Sequence, residues 1–154
     1  MTHEVVVQLA CEEDDLPDPA TLRTWARAAV GKQREHAELT IRVVGEGEIA
    51  ELNKRYRNKS GVTNVLSFPF DAPEVVDIPL LGDVVICAPV VRREAGEQLK
   101  SINAHWAHIV VHGTLHLLGF DHEKPSEAQE MEAMETRILA DLGFDNPYES
   151  QATS

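Results

Sequence analysis

The chain has 154 residues, 14 Lys plus Arg against 26 Asp plus Glu, a formal charge of −12, and a composition 43% hydrophobic and 26% charged. This is the make-up of one ordinary folded domain, which buries roughly 68–70% of its unfolded surface and needs no disulfide or structural metal merely to fold. It excludes a disordered chain, and the longest apolar run, Val84 to Ala88, is far short of the ~20 residues of a membrane helix.

In chain order, Val5-Val6-Val7-Gln8-Leu9 is β-branched and predicts a strand. Asp18 can cap a helix with Pro19 at its first position, and Leu22, Trp25, Ala26, Ala29 and Val30 form its apolar stripe. Leu39, Ile41 and Val43 alternate with Thr40 and Arg42 as a half-buried strand. Glu48 to Arg57 predicts a short helix with Ile49, Leu52 and Tyr56 inward, and Val65 to Phe68 a strand ended by Pro69. Val84 to Cys87 is a further strand, and a helix is expected from Pro89 to about Lys100.

The next helix opens at Ser101 or Asn103 and stops at Gly119. The last begins near Pro125-Ser126, where Ser126 and Gln129 have capping-box spacing, buries Met131, Met134, Ile138, Leu139 and Leu142, and closes at Gly143. The order predicts an α+β fold: a single domain over 1–154 with a small mixed β-sheet covered by about five helices, the last few residues disordered. Cys11 and Cys87 sit in apolar runs without a C-x-x-C pattern, as buried, reduced thiols would. The start, Met1-Thr2-His3-Glu4, has no basic n-region of a secretory signal.

Taken globally, the charge argues against a nucleic-acid partner, because phosphate contacts need cations. The acids are unevenly spread, however. Nine lie between Asp121 and Glu149 against only Lys124 and Arg137, and Glu12-Glu13-Asp14-Asp15 adds four more. The C-terminal stretch is read as a solvated face, and Glu12 to Asp15 as a loop. Residues 52 to 70 instead carry Lys54, Arg55, Arg57 and Lys59 without an acid. The charge pattern therefore narrows the expectation to weak, salt-sensitive contact with a polyanion, confined to one face.

Five of seven histidines fall between positions 105 and 122. His112 and His116, four apart on a helix, project from one face. Gly119 lets the chain turn back through a left-handed conformation, so that His122 can meet the same ion. Three imidazoles suit one Zn²⁺, with Ni²⁺, Cu²⁺ or Co²⁺ able to take its place, and leave a tetrahedral position for water, which is the catalytic pattern. The metal site is therefore expected at the end of a central helix. His108 shares the face of His112 but would overfill the tetrahedron, so it is read as an outer-shell or packing residue, and His105 as a cap or surface residue. Asp121 is read as an acceptor for a turn amide beside the site, Glu123 as solvated, and either as an alternative base.

At these residues the chain resembles the YbeY family of bacterial ribosomal-RNA maturation factors, which are metal-dependent endoribonucleases. The resemblance rests on His112-Gly113-x-Leu115-His116-Leu117-x-Gly119-x-Asp121-His122, preceded by His105-x-x-His108. It continues in Leu52-Asn53-x-x-Tyr56-Arg57-x-Lys59, Thr63-Asn64-Val65-Leu66-Ser67-Phe68-Pro69 and Leu81-Gly82-Asp83-Val84-Val85-Ile86. Together these blocks span roughly residues 48 to 123. The resemblance implies one zinc ion on His112, His116 and His122, with Arg57 a functionally needed cation near it. Phosphodiester chemistry then assigns Arg57 to the scissile phosphate, and Lys54, Arg55 and Lys59 would guide the RNA backbone if they face the cleft. It further implies a cytoplasmic, single-strand-specific enzyme of 16S rRNA 3′-end maturation, ribosome biogenesis and quality control. Its partner would be small-subunit rRNA, with a small-subunit ribosomal protein and an assembly GTPase, and no membrane. Ser60-Gly61-Val62 departs from the more polar or proline-bearing loop of relatives.

Two rival classes remain. H-x-x-x-H with a later His is also a metallopeptidase pattern, but those enzymes place a Glu base directly after the first His, where this chain has Gly113. The other is a non-catalytic, zinc-stabilised ribosome assembly factor that binds through the basic face.

Overall fold

The computed structural model describes residues 2–70, 79–121 and 123–148. The expected disorder of the last few residues, and His122, lie outside these. The described residues form a single small α+β domain with elements β1 (Thr2–Leu9), α1 (Pro19–Val30), β2 (His36–Val44), α2 (Glu46–Arg57), β3 (Val65–Pro69), β4 (Leu80–Cys87), α3 (Ala88–Glu97), α4 (Ile102–Leu117) and α5 (Pro125–Asp141). The predicted order of elements is the observed one. The sheet runs β1-β2-β4-β3, with β1–β2 and β2–β4 parallel and β3 antiparallel to β4.

The period of two along β4 divides the core. Val84 and Ile86 face the larger cluster with α1, α4 and α5, whereas Val85 and Cys87 face a smaller one with Ile49, Leu66 and Val90. Helix α4 is central: Trp106, Val110, Val111 and Leu115 are all at most 1% exposed. It starts where Ser101 accepts a hydrogen bond from the Ala104 amide at 3.1 Å, and it ends before Gly119, whose φ of +100° turns the chain away.

Two glycines set how the histidine-bearing helix meets the sheet. Gly82, at φ +136°, follows a register shift between β2 and β4, and a Cβ there would stand 2.1 Å from the Phe68 carbonyl oxygen. Gly113 faces the sheet from α4, where a Cβ would lie 2.6 Å from Val84 Cγ1 and 3.2 Å from Val65 Cγ2. The Ser67 hydroxyl donates to the Gly113 carbonyl at 2.9 Å across the same contact. A glutamate at this position, as a metallopeptidase requires, would push α4 off the sheet.

Several local expectations are corrected. Helix α2 begins at Glu46, and α3 ends at Glu97 rather than near Lys100. The capping box at Ser126 and Gln129 does not form: Pro125 takes the first turn, where a missing N–H costs nothing, so the cap position falls on Lys124. Asp18 stands at its cap position without a side-chain cap bond. Cys11 is half-buried rather than buried, and both cysteines are free. Tyr56 is 60% exposed instead of inward, because α2 carries it past the smaller core, where it packs edge-to-face on Phe68 with ring centroids 5.4 Å apart. His105, expected at a cap or surface, is 2% exposed, since α3 lies over this part of α4 and Glu94 takes its Nε2 at 2.9 Å.

Candidate metal centre and cleft

The histidines of α4 form a row. Rings of His105, His108, His112 and His116 meet edge-to-face in succession, with centroids 6.2, 6.2 and 4.7 Å apart. Spacings of three and four residues stack side chains on one helical face, and each ring leans towards the turn before it. At the C-terminal end of the row, His112 Nε2 and His116 Nε2 stand 3.2 Å apart.

Behind them lies a group that sequence reasoning missed. Glu135 of α5 is fully buried, and its carboxylate accepts from His112 Nδ1 at 2.9 Å, from His108 Nε2 at 2.6 Å and from the Tyr148 hydroxyl at 2.7 Å. Burial alone would raise its pKa, but the hydrogen bonds and charges of His108 and His112 outweigh it and hold the carboxyl down at about 2. The same surroundings push the Tyr148 phenol up, by burial first and then by its bond to Glu135. At His105 burial lowers the pKa against the opposing pull of Glu94. The sequence does carry a sign of Glu135: with Met131, Ile138 and Leu139 it shares the apolar stripe of α5.

His108, His112 and Glu135 offer ligand atoms within 4.8 Å of one another and could hold a metal ion. The donor chemistry also fits an ion between His112 and His116. An ionised carboxylate only accepts, so the His112 proton is on Nδ1, and its Nε2 lone pair points toward His116 Nε2. Imidazole nitrogens so disposed suit Zn²⁺.

These two histidines open into a cleft of about 810 Å³, lined also by residues of β3 and by Gly119, Phe120, Asp121 and Glu123. Arg57, the last residue of α2, also lines it, as do Tyr56, Asn64 and Phe68. Among the described residues Arg57 has no ion-pair partner, whereas Arg42, Arg92 and Arg93 are each paired with an acid. The other cations of the basic window are not brought into the lining: Arg55 donates to Glu51 at 2.9 Å on the exposed face of α2, and Lys54 and Lys59 lie outside the cleft. Asn64 is held from behind, its amide donating to Glu94 at 3.0 Å.

Fold and site define a class: a small α+β protein with a candidate metal centre on its central helix, open to a cleft that one arginine enters. The chain belongs to the endoribonuclease YbeY family. The family model described as Endoribonuclease YbeY matches residues 8–143. A protein of Nitrosococcus oceani named Endoribonuclease YbeY is 55% identical over 152 residues, which cover 97% of this chain and 99% of that protein. The solution structure of a Thermotoga maritima protein, 22% identical, aligns over 94% of this chain and 99% of its own with a TM-score of 0.59, and shares the fold. No helix among the described residues is long and apolar enough to cross a membrane.

Proposed function

We propose that this protein is a zinc-dependent, single-strand-specific endoribonuclease of the cytoplasm that acts on small-subunit rRNA, in 16S 3′-end maturation, ribosome biogenesis and ribosome quality control. The observation that carries the reading is the cleft, where His112, His116 and Arg57 share one lining. His112 and His116, with His122 from beyond Gly119, would hold the ion. When bound, the ion supplies water acidified to a pKa of about 7 and a Lewis acid for a phosphoryl oxygen.

The remaining work falls to the chain's own residues. Arg57 presents a planar fork of donors suited to two phosphate oxygens, and its charge opposes the negative charge that gathers there during cleavage. Asp121 and Glu123 in the same lining are candidates for the base that takes the proton. Lys54, Arg55 and Lys59 would guide the flanking backbone electrostatically from outside the cleft. A ribosomal protein of the small subunit and an assembly GTPase would deliver the substrate.

Specificity for single strands is read from aromatic residues in the same lining. Tyr56 and Phe68 offer aromatic surface beside Arg57, on which an unpaired base can stack and a paired one cannot. Tyr56→Ala is expected to raise KM for a single-stranded rRNA fragment by roughly 5- to 100-fold, the weight of one base–aromatic contact, with kcat little changed. The test is cleavage by purified protein of that fragment, alone and annealed to its complement. The reading predicts cleavage of the free strand only; equal cleavage of both forms, or RNA bound without cleavage, would overturn it, the latter in favour of an assembly factor.

A further inference from the structure

We propose that Glu135 and Tyr148 are positioning residues for the metal centre: together they clamp His112 in the one tautomer and orientation that can serve a metal ion. The inference rests on the reading of His112 as a ligand and adds to it a requirement for α5 and the segment that follows.

A lone carboxylate buried among Met131, Ile138 and Leu139 is costly unless each oxygen is hydrogen-bonded. Here Oε1 takes the His112 Nδ1 proton, while Oε2 takes both the His108 Nε2 proton and the Tyr148 hydroxyl. Three donors from two other segments therefore satisfy one anion. Because the anion has no proton to give, His112 must carry its own on Nδ1, and its Nε2 is the only ring nitrogen able to donate a lone pair towards His116. The bond also raises the basicity of the ring and hence its strength as a ligand.

Tyr148 is the outer half of the clamp. Its amide donates to Asn146 Oδ1 at 2.8 Å, a local turn that aims the ring inward, and the ring packs edge-to-face on His108 with centroids 5.3 Å apart. The hydroxyl reaches both Glu135 Oε2 and His108 Nε2, the latter at 3.2 Å. Tyr148, itself 46% exposed, thus reaches Glu135 from the segment after α5, 36 residues along the chain from His112.

The test uses full-length protein stripped by a chelator and titrated with Zn²⁺ against a chromogenic competitor, with ¹⁵N spectra of the histidine rings. Glu135→Gln is expected to weaken zinc affinity about 10- to 100-fold, the usual effect of losing an orienting partner, and to mix the His112 tautomers. Tyr148→Phe, which keeps the ring, is expected to weaken it about 2- to 10-fold with the fold intact. It carries the test if Glu135→Gln does not fold. Parent-like affinity and a single Nδ1–H tautomer in both variants would overturn the proposal. So would complete loss of stoichiometric binding in a folded Glu135→Gln, because Glu135 would then be a ligand in a His108, His112 and Glu135 site. Unaltered zinc binding by His116→Ala would instead overturn the reading of the metal centre itself.

Discussion

His116→Ala is expected to lose stoichiometric zinc binding and to cleave RNA at least ~10³-fold more slowly, because water without a metal is a far weaker acid and is barely ionised near neutral pH. Metal analysis of the purified variant beside a cleavage time course checks both. The argument rests on how the two rings meet. Their Nε2 atoms are 3.2 Å apart on consecutive turns of a helix that is buried over most of its length and pinned to the sheet at Gly113. His108 and Glu135 are bonded to each other behind His112, outside the cleft lining, so an ion they held with His112 would not sit where Arg57 lies. Folding should change little. His116 is only partly buried and lies in the last turn of α4, so truncation removes little packing.

Arg57→Ala should separate chemistry from metal binding: zinc content stays at the parent level while kcat falls about 10²- to 10³-fold, the scale of one lost donor to a developing oxyanion. Steady-state kinetics with metal analysis on the same preparation decide it. Arg57 ends α2, where the chain turns at Asn58 with φ +54°, and it stands in the lining of the cleft. It makes no ion pair among the described residues, so its removal strands no buried acid and stability should hold. Arg57→Lys should recover only part of the rate, because an ammonium keeps the charge but not the fork. Full activity in Arg57→Ala would remove this residue from the mechanism.

Much of this architecture was legible in the sequence, for reasons that can be named. The strands announce themselves through β-branched alternation and the helices through apolar stripes, so the order of elements needed no tertiary information. Ser101 and Gly119 bound α4 by local chemistry alone, a side-chain cap and a left-handed exit. The 112/116 spacing likewise brings two imidazoles together by helix geometry, without help from the rest of the fold.

What escaped depends on which element covers which. His105 and His108 sit three apart on one face, yet α3 buries the first with Glu94, and only the packing of α3 on α4 reveals that. Tyr56 continues the stripe of Ile49 and Leu52, and a stripe does not say where the surface beneath it ends. Glu135 is the most instructive. Its neighbours in the acidic stretch are solvated, and counting charge along the chain placed it with them. Counting helical turns puts it with Met131 and Ile138, where an acid needs donors. The overall charge misleads in the same way: it averages the acids of the whole chain and hides a cleft whose lining brings Arg57 together with two histidines.

The central claim is that RNA cleavage belongs to the metal-charged cleft of this chain. The most direct measurement strips the full-length protein with a chelator and follows cleavage of a single-stranded small-subunit rRNA fragment before and after one equivalent of Zn²⁺. The account predicts no cleavage by the stripped protein and recovery on addition of the ion. Undiminished cleavage by protein shown to be free of metal would contradict it.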